Sequence, residues 1–142
     1  MIARPCPARG RRRGATLLEF AVALPILLML TLGMVVLGQG VSQSQMVALL
    51  AREGARYASV RGADYRAATG KATTTAADVV AGAITPRAVG FAAGSLTTTV
   101  AWSSPAQEVG STVTVTVGYS YAPGSYLGTV PLASTAVMTI SY

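Results

Sequence analysis

The chain has 142 residues, a formal net charge of +6, one cysteine and no histidine. This length allows one membrane helix and one small domain, but not two independent hydrophobic cores. The absence of histidine excludes histidine-based catalytic triads and histidine-ligated metal sites. Because Cys6 is the only cysteine, the C-terminal domain should have neither a disulfide nor a cysteine-ligated metal. We therefore expect no metal and no cofactor.

The positive charge is concentrated at the N-terminus. Five of the 11 basic residues and none of the five acids lie in residues 1–14: Arg4, Arg9, Arg11, Arg12 and Arg13. Without this segment the net charge is 6 − 5 = +1, and the remaining basic residues are scattered along the chain. Because nucleic-acid binding needs a basic patch on a folded face, we expect no nucleic-acid partner. Residues 1–14 lack apolar periodicity and are predicted to be disordered.

A long apolar run follows the arginines. Phe20 to Leu37 contains 18 residues without a charge, which as a helix would span ~27 Å, close to the hydrocarbon thickness of a bilayer. The sequence therefore predicts a single membrane-spanning helix in contact with lipid. Short arginine clusters beside such helices stay in the cytoplasm, so Arg9, Arg11, Arg12 and Arg13 should hold the N-terminus there and the C-terminal domain outside.

Two residues in this segment are unusual for a membrane helix. Glu19 lies at the edge of the apolar run, where an ionisable side chain is costly and indicates a function. Pro25 lies inside the run and cannot donate a hydrogen bond to the carbonyl of Ala21, so a kink or local loosening of the helix is expected there.

Two motifs carry a resemblance to a known family. Arg11-Arg12-Arg13-Gly14 followed by residues 15–20 and the apolar run resembles a type IV prepilin processing site, with cleavage between Gly14 and Ala15 and Glu19 as the fifth residue of the mature chain. Residues 51–58, Ala-Arg-Glu-Gly-Ala-Arg-Tyr-Ala, resemble the segment after the membrane helix in TadE-like proteins. These proteins are minor pseudopilins of tight-adherence (Flp) pilus systems.

The resemblance implies a function in pilus assembly rather than in catalysis. Its implied partners are a prepilin peptidase, other pilins or pseudopilins and the inner-membrane assembly platform. It places the protein in the bacterial cytoplasmic membrane and assigns Glu19 and Phe20 to subunit assembly. A position at the pilus tip or in the shaft is left open.

Two alternatives to prepilin processing remain at this point. The chain could be an uncleaved single-pass membrane protein whose outer domain binds another envelope component. It could also carry an ordinary signal peptide cut after Gly40 or Ser44, but the length of the apolar run and the position of Glu19 oppose that reading. The mature N-terminus would discriminate among the three.

The membrane helix should continue beyond the bilayer. It is predicted over residues 15–61, with the membrane-spanning part ending near residue 41. Its outer part is amphipathic, with one face formed by Met46, Val47, Leu50, Gly54, Tyr57 and Ala58 and the opposite face by Gln45, Arg52 and Arg56. Gly62 should end the helix in a left-handed conformation.

Residues 62–142 are predicted to form a small outer α+β domain. Residues 64–74 are weakly periodic, and a short helix should begin at a capping box formed by Thr75 and Asp78 and stop near Pro86. Three strands with alternating apolar residues should follow and form an antiparallel sheet, over Leu96–Trp102, Thr112–Tyr121 and Thr135–Tyr142. The segment 122–131 is predicted to be a loop that could contact a partner. The fold as a whole should resemble a pilin-like lollipop, with the sheet packed on the outer half of the long helix.

Overall fold

A computed structural model of the chain describes residues 11–92, 94–123 and 128–142, without the side chains of residues 11–13 and 15. The described chain divides into two compact units at the boundary between Gly38 and Gln39. The order of its elements confirms the predicted α+β class, with a long N-terminal apolar helix, short helices and a three-stranded antiparallel sheet.

The first unit contains the apolar part of helix α1, which runs over Arg11–Ser59. The helix begins four residues before the predicted start at Ala15, so residues 11–14 are helical where disorder was predicted. Arginine has a high helix propensity and one glycine costs only about 1 kcal/mol, so apolar periodicity is not required for these residues to extend the helix. Arg4 and Arg9 lie outside the described residues.

The second unit begins with the outer part of α1, residues 39–59. Its buried face consists largely of small side chains, with Ala51, Ala55 and Ala58 each at most 1% exposed. Val47 and Leu50 are equally buried and complete this face. The amphipathic pattern predicted from the sequence is therefore confirmed, with Ala51 and Ala55 as additional core residues.

The end of α1 differs from the prediction at Gly62. This glycine has φ −83° and ψ −153°, an extended conformation that any residue can adopt. Space is what requires a glycine there, because a Cβ would lie 2.6 Å from the carbonyl oxygen of Tyr142 and 2.7 Å from that of Gln107. Gly62 allows two distant segments to approach the backbone, and it does not terminate the helix through a left-handed conformation.

Short helical segments connect α1 to the sheet. Helix α2, Ala63–Thr69, was not predicted, and it ends at Gly70 in the left-handed conformation with φ 66°. Helix α3, Ala76–Val79, begins at the predicted capping box and continues into a π-helical turn over Val80–Ile84. A 3-10 turn over Thr85–Arg87 follows, so helical structure passes through Pro86. Proline is tolerated there because it occupies the first turn of a new helical segment.

The sheet has the order β1-β2-β3, with β1 at Leu96–Trp102, β2 at Thr112–Tyr121 and β3 at Val130–Thr139. The first two strands match their predicted bounds. Strand β3 begins and ends earlier than predicted, and it includes Pro131 opposite Ser120. Because β3 is an edge strand, a proline that cannot donate a hydrogen bond is tolerated in it. Of the predicted loop 122–131, residues 124–127 lie outside the described residues.

One apolar face of the sheet forms the core with the outer part of α1. Val113, Val115 and Val117 of β2 are fully buried and lie in one cluster with Leu50 of α1 and Ile84 of the π-helical turn. Burying each valine contributes about 1.5–3 kcal/mol. The threonines that alternate with these valines lie on the other face, so the period-two pattern of β2 orients the whole sheet.

Candidate functional site

The residues of the predicted processing site lie in the first turns of α1. Gly14 is exposed, and a Cβ added to it would meet nothing within 4 Å. Arg11, Arg12, Arg13 and Ala15 are helical in their backbone. The predicted cleavage residues therefore lie within one helix, where Gly14 has room for a side chain.

Glu19 lies in an exposed apolar segment of this helix. Its neighbours Leu18 and Phe20 are 71% and 68% exposed, and Glu19 itself is exposed. In the described part of the chain no ion pair or hydrogen bond involves the Glu19 carboxylate. A carboxylate in this position can accept a partner from another molecule.

The apolar segment around Glu19 has the composition of a membrane span. The helical stretch Thr16–Ser59 contains an 18-residue window with a mean hydropathy of 2.6, and none of that window is buried. Its leucines are exposed, as Leu32 at 64% and Leu37 at 71% illustrate. This helix is long and apolar enough to serve as a membrane anchor. Pro25 lies inside it without interrupting the helical assignment, and the kink at Pro25 stays a prediction.

The structure gives a packing role to the second motif, residues 51–58. A Cβ on Gly54 would lie 3.1 Å from Cγ1 of Val115 and 3.5 Å from Cδ1 of Ile84. Together with the buried alanines at 51, 55 and 58, Gly54 lets the helix lie close to β2 and to the π-helical turn. The small residues of the motif thus determine the spacing between α1 and the rest of the second unit.

Glu53 and Tyr57 of the same motif contact the helical segment 80–87. Glu53 forms an ion pair with Arg87, with 3.9 Å between Oε2 and Nη2. Tyr57 lies against Gly82, where a Cβ would come within 2.5 Å of the tyrosine ring. The motif therefore connects α1 to the helical segment 80–87 through both an ion pair and a ring that needs a glycine opposite it.

Arg61 extends this cluster beyond the motif. Its guanidinium carbon lies 3.6 Å above the centre of the Tyr57 ring and 5.6 Å from that of Tyr65. Its Nη1 also donates to the backbone carbonyl of Tyr57 over 3.2 Å. A guanidinium between two aromatic rings is stabilised by the negative faces of the rings. Arg61 is thereby held in one orientation.

Positive charge dominates the surroundings of Tyr65. Lys71 donates a hydrogen bond to the Tyr65 hydroxyl over 3.2 Å. This hydrogen bond, followed by the positive charges of Lys71 and Arg61, lowers the pKa of the Tyr65 phenol from its ordinary value of 10.0. The field at this surface therefore favours negatively charged groups.

Buried hydrogen bonds tie the end of α1 to distant segments. The Gly62 and Ala63 N–H groups donate to the carbonyls of Tyr142 and Gln107 over 2.6 and 2.9 Å. Gln107 is 3% exposed, and its Nε2 donates to the Thr74 carbonyl over 2.8 Å. Gln107 is also the only non-glycine residue with positive φ in the described ranges, at 51°. These hydrogen bonds are a structural feature of the second unit.

Sequence reasoning missed Arg61, Gly82 and Gln107. The stacking of Arg61 on Tyr57 had a local signal, because residues four apart lie on the same face of a helix. Gly82 and Gln107 had none, since their roles depend on residues far away in the chain. Among the described residues, no group of three His, Cys, Asp or Glu side chains could hold a metal ion.

A comparison with known protein families supports the resemblance drawn from the two motifs. Residues 14–56 match the model of the family described as TadE-like protein. This segment is just under a third of the chain, and it contains Gly14, Glu19 and most of the second motif. The predicted resemblance to TadE-like proteins is confirmed over this segment. No curated protein and no solved structure matches the chain.

Proposed function

We propose that this chain is a minor pseudopilin that a prepilin peptidase cuts between Gly14 and Ala15 and that supports the assembly of a Tad (Flp) pilus. The observation that carries the proposal is the TadE-like match, which begins at Gly14 and includes Glu19. The exposure of Glu19 among apolar side chains supports an intermolecular role for it. The small outer domain then acts in protein contacts rather than in catalysis.

The proposed partners follow from the same segment. After cleavage Ala15 carries a free, positively charged amine, four residues before the Glu19 carboxylate. A carboxylate in lipid is costly when it is unpaired, and the terminal amine of a neighbouring pilin or pseudopilin would neutralise it. Glu19 and Phe20 thereby set the register between subunits on the inner-membrane assembly platform, and Pro25 loosens the helix nearby.

Mass spectrometry of the protein extracted from membranes tests the processing step. We expect a mature chain that begins at Ala15. Gly14→Val should block cleavage, because glycine lets the backbone approach a peptidase active site closely. Since a Cβ at Gly14 meets nothing within 4 Å, the variant should still fold, and the precursor should accumulate in the membrane.

Gly33→Val is the matched control for this experiment. Gly33 lies in the same helix, and a Cβ there also meets nothing within 4 Å. The control protein should be processed like the wild type. An unchanged mature band in the Gly14→Val variant would refute processing at this bond.

A second candidate function is favoured by the helical start of α1. The helix begins at Arg11 and so includes the Gly14–Ala15 bond, which a peptidase would have to unwind before cutting. The alternative is an uncleaved single-pass membrane protein whose outer domain binds another envelope component. A precursor that keeps residues 1–14 in wild-type membranes would support this alternative over the first proposal.

Both candidates share one orientation in the bacterial cytoplasmic membrane. Arg9, Arg11, Arg12 and Arg13 keep the N-terminus in the cytoplasm, and the domain that follows lies outside. A reporter enzyme that is active only outside the cytoplasm, fused after Tyr142, should therefore be active. Activity of only a cytoplasmic reporter at the same position would contradict both candidates.

A further inference from the structure

A groove with a strongly basic lining lies beside the outer part of α1. We define this basic groove by Arg56, Tyr57, Arg61, Tyr65, Lys71 and Arg87. It consists of two adjoining hollows of about 380 and 300 Å³ that share Tyr57 and Arg61. All six residues belong to the second unit, and none of them is needed for the cleavage or the assembly contact proposed above.

The groove has more positive charge than its own acids neutralise. It contains four cations and two carboxylates, Glu53 and Asp78. Glu53 pairs with Arg87 over 3.9 Å, and Asp78 accepts hydrogen bonds from the backbone and hydroxyl of Thr75 over 2.8 and 2.7 Å. In the described part of the chain no carboxylate pairs with the other three cations, Arg56, Arg61 and Lys71.

This excess of charge is local to the helical side of the second unit. From residue 88 to the last residue the sequence has no lysine or arginine, and Glu108 is its only charged residue. All the basic residues of the second unit therefore lie between Arg52 and Arg87, and four of the six line the groove. Such focusing of one sign of charge in a concave surface attracts an oppositely charged partner.

Two of the arginines are already held in place. Arg61 stacks on Tyr57 at 3.6 Å, and Nη1 of Arg87 donates to the carbonyl of Ala83 over 3.2 Å. Each guanidinium has five N–H donors, so most of them are available to a ligand. Because little side-chain freedom would be lost on binding, the groove is prepared for carboxylates or phosphates.

We propose that the basic groove binds an acidic segment of another protein through two or more carboxylate side chains. Cations spread over two adjoining hollows match carboxylates spaced along an extended chain, whereas a single phosphate would reach only some of them. A membrane surface fits less well, because binding at a lipid interface grows with the apolar area that is buried as well as with charge. Val60, 42% exposed, is the one large aliphatic side chain that lines the groove.

Fluorescence anisotropy on the full chain, purified in an uncharged detergent, tests this proposal. The probe is a short fluorescein-labelled peptide of alternating glutamate and alanine, and its matched partner has glutamine in place of glutamate. We expect the glutamate peptide to bind at low salt and its affinity to fall as the salt concentration is raised. It should also bind far more tightly than the glutamine peptide. Arg56→Gln should weaken binding about fivefold and Arg61→Gln about tenfold.

Arg52→Gln is the matched control variant. Arg52 is exposed on the same helix and does not line the groove. Its substitution by glutamine removes the same charge as Arg56→Gln does. Its affinity for the glutamate peptide should stay within about twofold of the wild type. An equal loss in Arg52→Gln and Arg56→Gln would show unspecific attraction and overturn the proposal. Arg56 has no side-chain partner in the described chain, so Arg56→Gln should remain folded even where Arg61→Gln does not.

Competition experiments separate the possible anions. Inorganic phosphate should displace the peptide only weakly, and vesicles of phosphatidylglycerol should bind the wild type and Arg56→Gln equally. Complete displacement by phosphate, or groove-dependent binding to the vesicles without binding to the glutamate peptide, would overturn the proposal. These outcomes do not depend on cleavage at Gly14, so the groove and the processing site can fail separately.

Discussion

Gly62 joins three segments that are distant in sequence. Its N–H donates to the Tyr142 carbonyl, and a Cβ would collide with that carbonyl, with the Gln107 carbonyl and with Cγ2 of Ile140. Two of these three neighbours are backbone atoms, which cannot rotate away as a side chain can. The residue at this position must therefore lack a side chain.

Gly62→Ala should lower the stability of the second unit by about 1–3 kcal/mol, the usual cost of forcing extra volume into a packed site. The fluorescence of Trp102, the single tryptophan, reports unfolding in urea. Gly118→Ala is the control, since a Cβ there would have its nearest neighbour at 3.7 Å, an ordinary contact. Equal shifts of the two unfolding midpoints would refute the steric argument.

Asp78 makes the capping box of α3 sensitive to pH. Hydrogen bonds from the Thr75 backbone, and then from its hydroxyl, lower the pKa of the Asp78 carboxyl below its ordinary value of 3.8. A lowered pKa means that the folded state prefers the ionised form. Its contribution to stability is therefore fully present above pH 3.8 and is lost as the pH falls through the lowered folded value.

Asp78→Asn should reveal this contribution, because asparagine keeps the shape and does not ionise. We expect the wild type to be more stable than the variant near neutral pH and the two urea midpoints to converge in acid. Trp102 fluorescence measured across the pH range provides the comparison. A stability difference that does not depend on pH would contradict the assigned role of the carboxylate.

At the scale of elements, α1 changes character along its length. The part of α1 in the first unit has exposed leucines on all sides, whereas the outer part of α1 buries one face against the sheet. The small residues Ala51, Gly54 and Ala55 let β2 approach, and Leu50 fills the space between them. The TadE-like segment thus combines an apolar helix with a packing surface for the domain that follows.

Adjacent leucines allow a matched test of this packing face. Leu50 is fully buried and Leu49 is 48% exposed. Leu50→Ala should cost about 2–5 kcal/mol because it leaves a cavity in the core. Leu49→Ala removes the same atoms and should cost far less, as urea unfolding followed at Trp102 would show. Similar losses for both variants would mean that the buried face of α1 is assigned incorrectly.

At the scale of the whole molecule, charge separates the proposed functions along the chain. As proposed above, the N-terminal arginines would set the orientation, Glu19 would serve assembly and the basic groove would bind a partner outside the membrane. Without residues 1–14 the net charge is +1, so the proposed contacts would depend on local charge rather than on total charge.

Glu19→Gln tests the assembly role. The variant should still insert into the membrane and still be cut, but it should be lost from sheared pilus fractions, because the neutral amide cannot pair with the terminal amine of a neighbouring subunit. Glu108→Gln, which changes an exposed glutamate of the second unit, should assemble normally. Wild-type recovery of the Glu19→Gln variant in pili would refute charge pairing while leaving processing untouched.

The sequence by itself determined the features that depend on neighbours along the chain. The apolar run, the alternation in β1 and β2, and the Thr75–Asp78 capping box are repeats or pairs within a few residues, so they could be predicted closely. The two motifs were also enough to predict the TadE-like match over residues 14–56. The start of β3 was missed because Pro131 suggests a loop, and only its place at the sheet edge makes it compatible with a strand.

The tertiary structure alone decided which residues meet from distant parts of the chain. Gly62 is adjacent to Gln107 and Tyr142, and Gly82 makes room for the Tyr57 ring. The four cations of the basic groove are likewise separated by up to 31 positions in the sequence. Folding brings such residues together through the burial of the β2 valines on α1, a long-range event that no local pattern specifies.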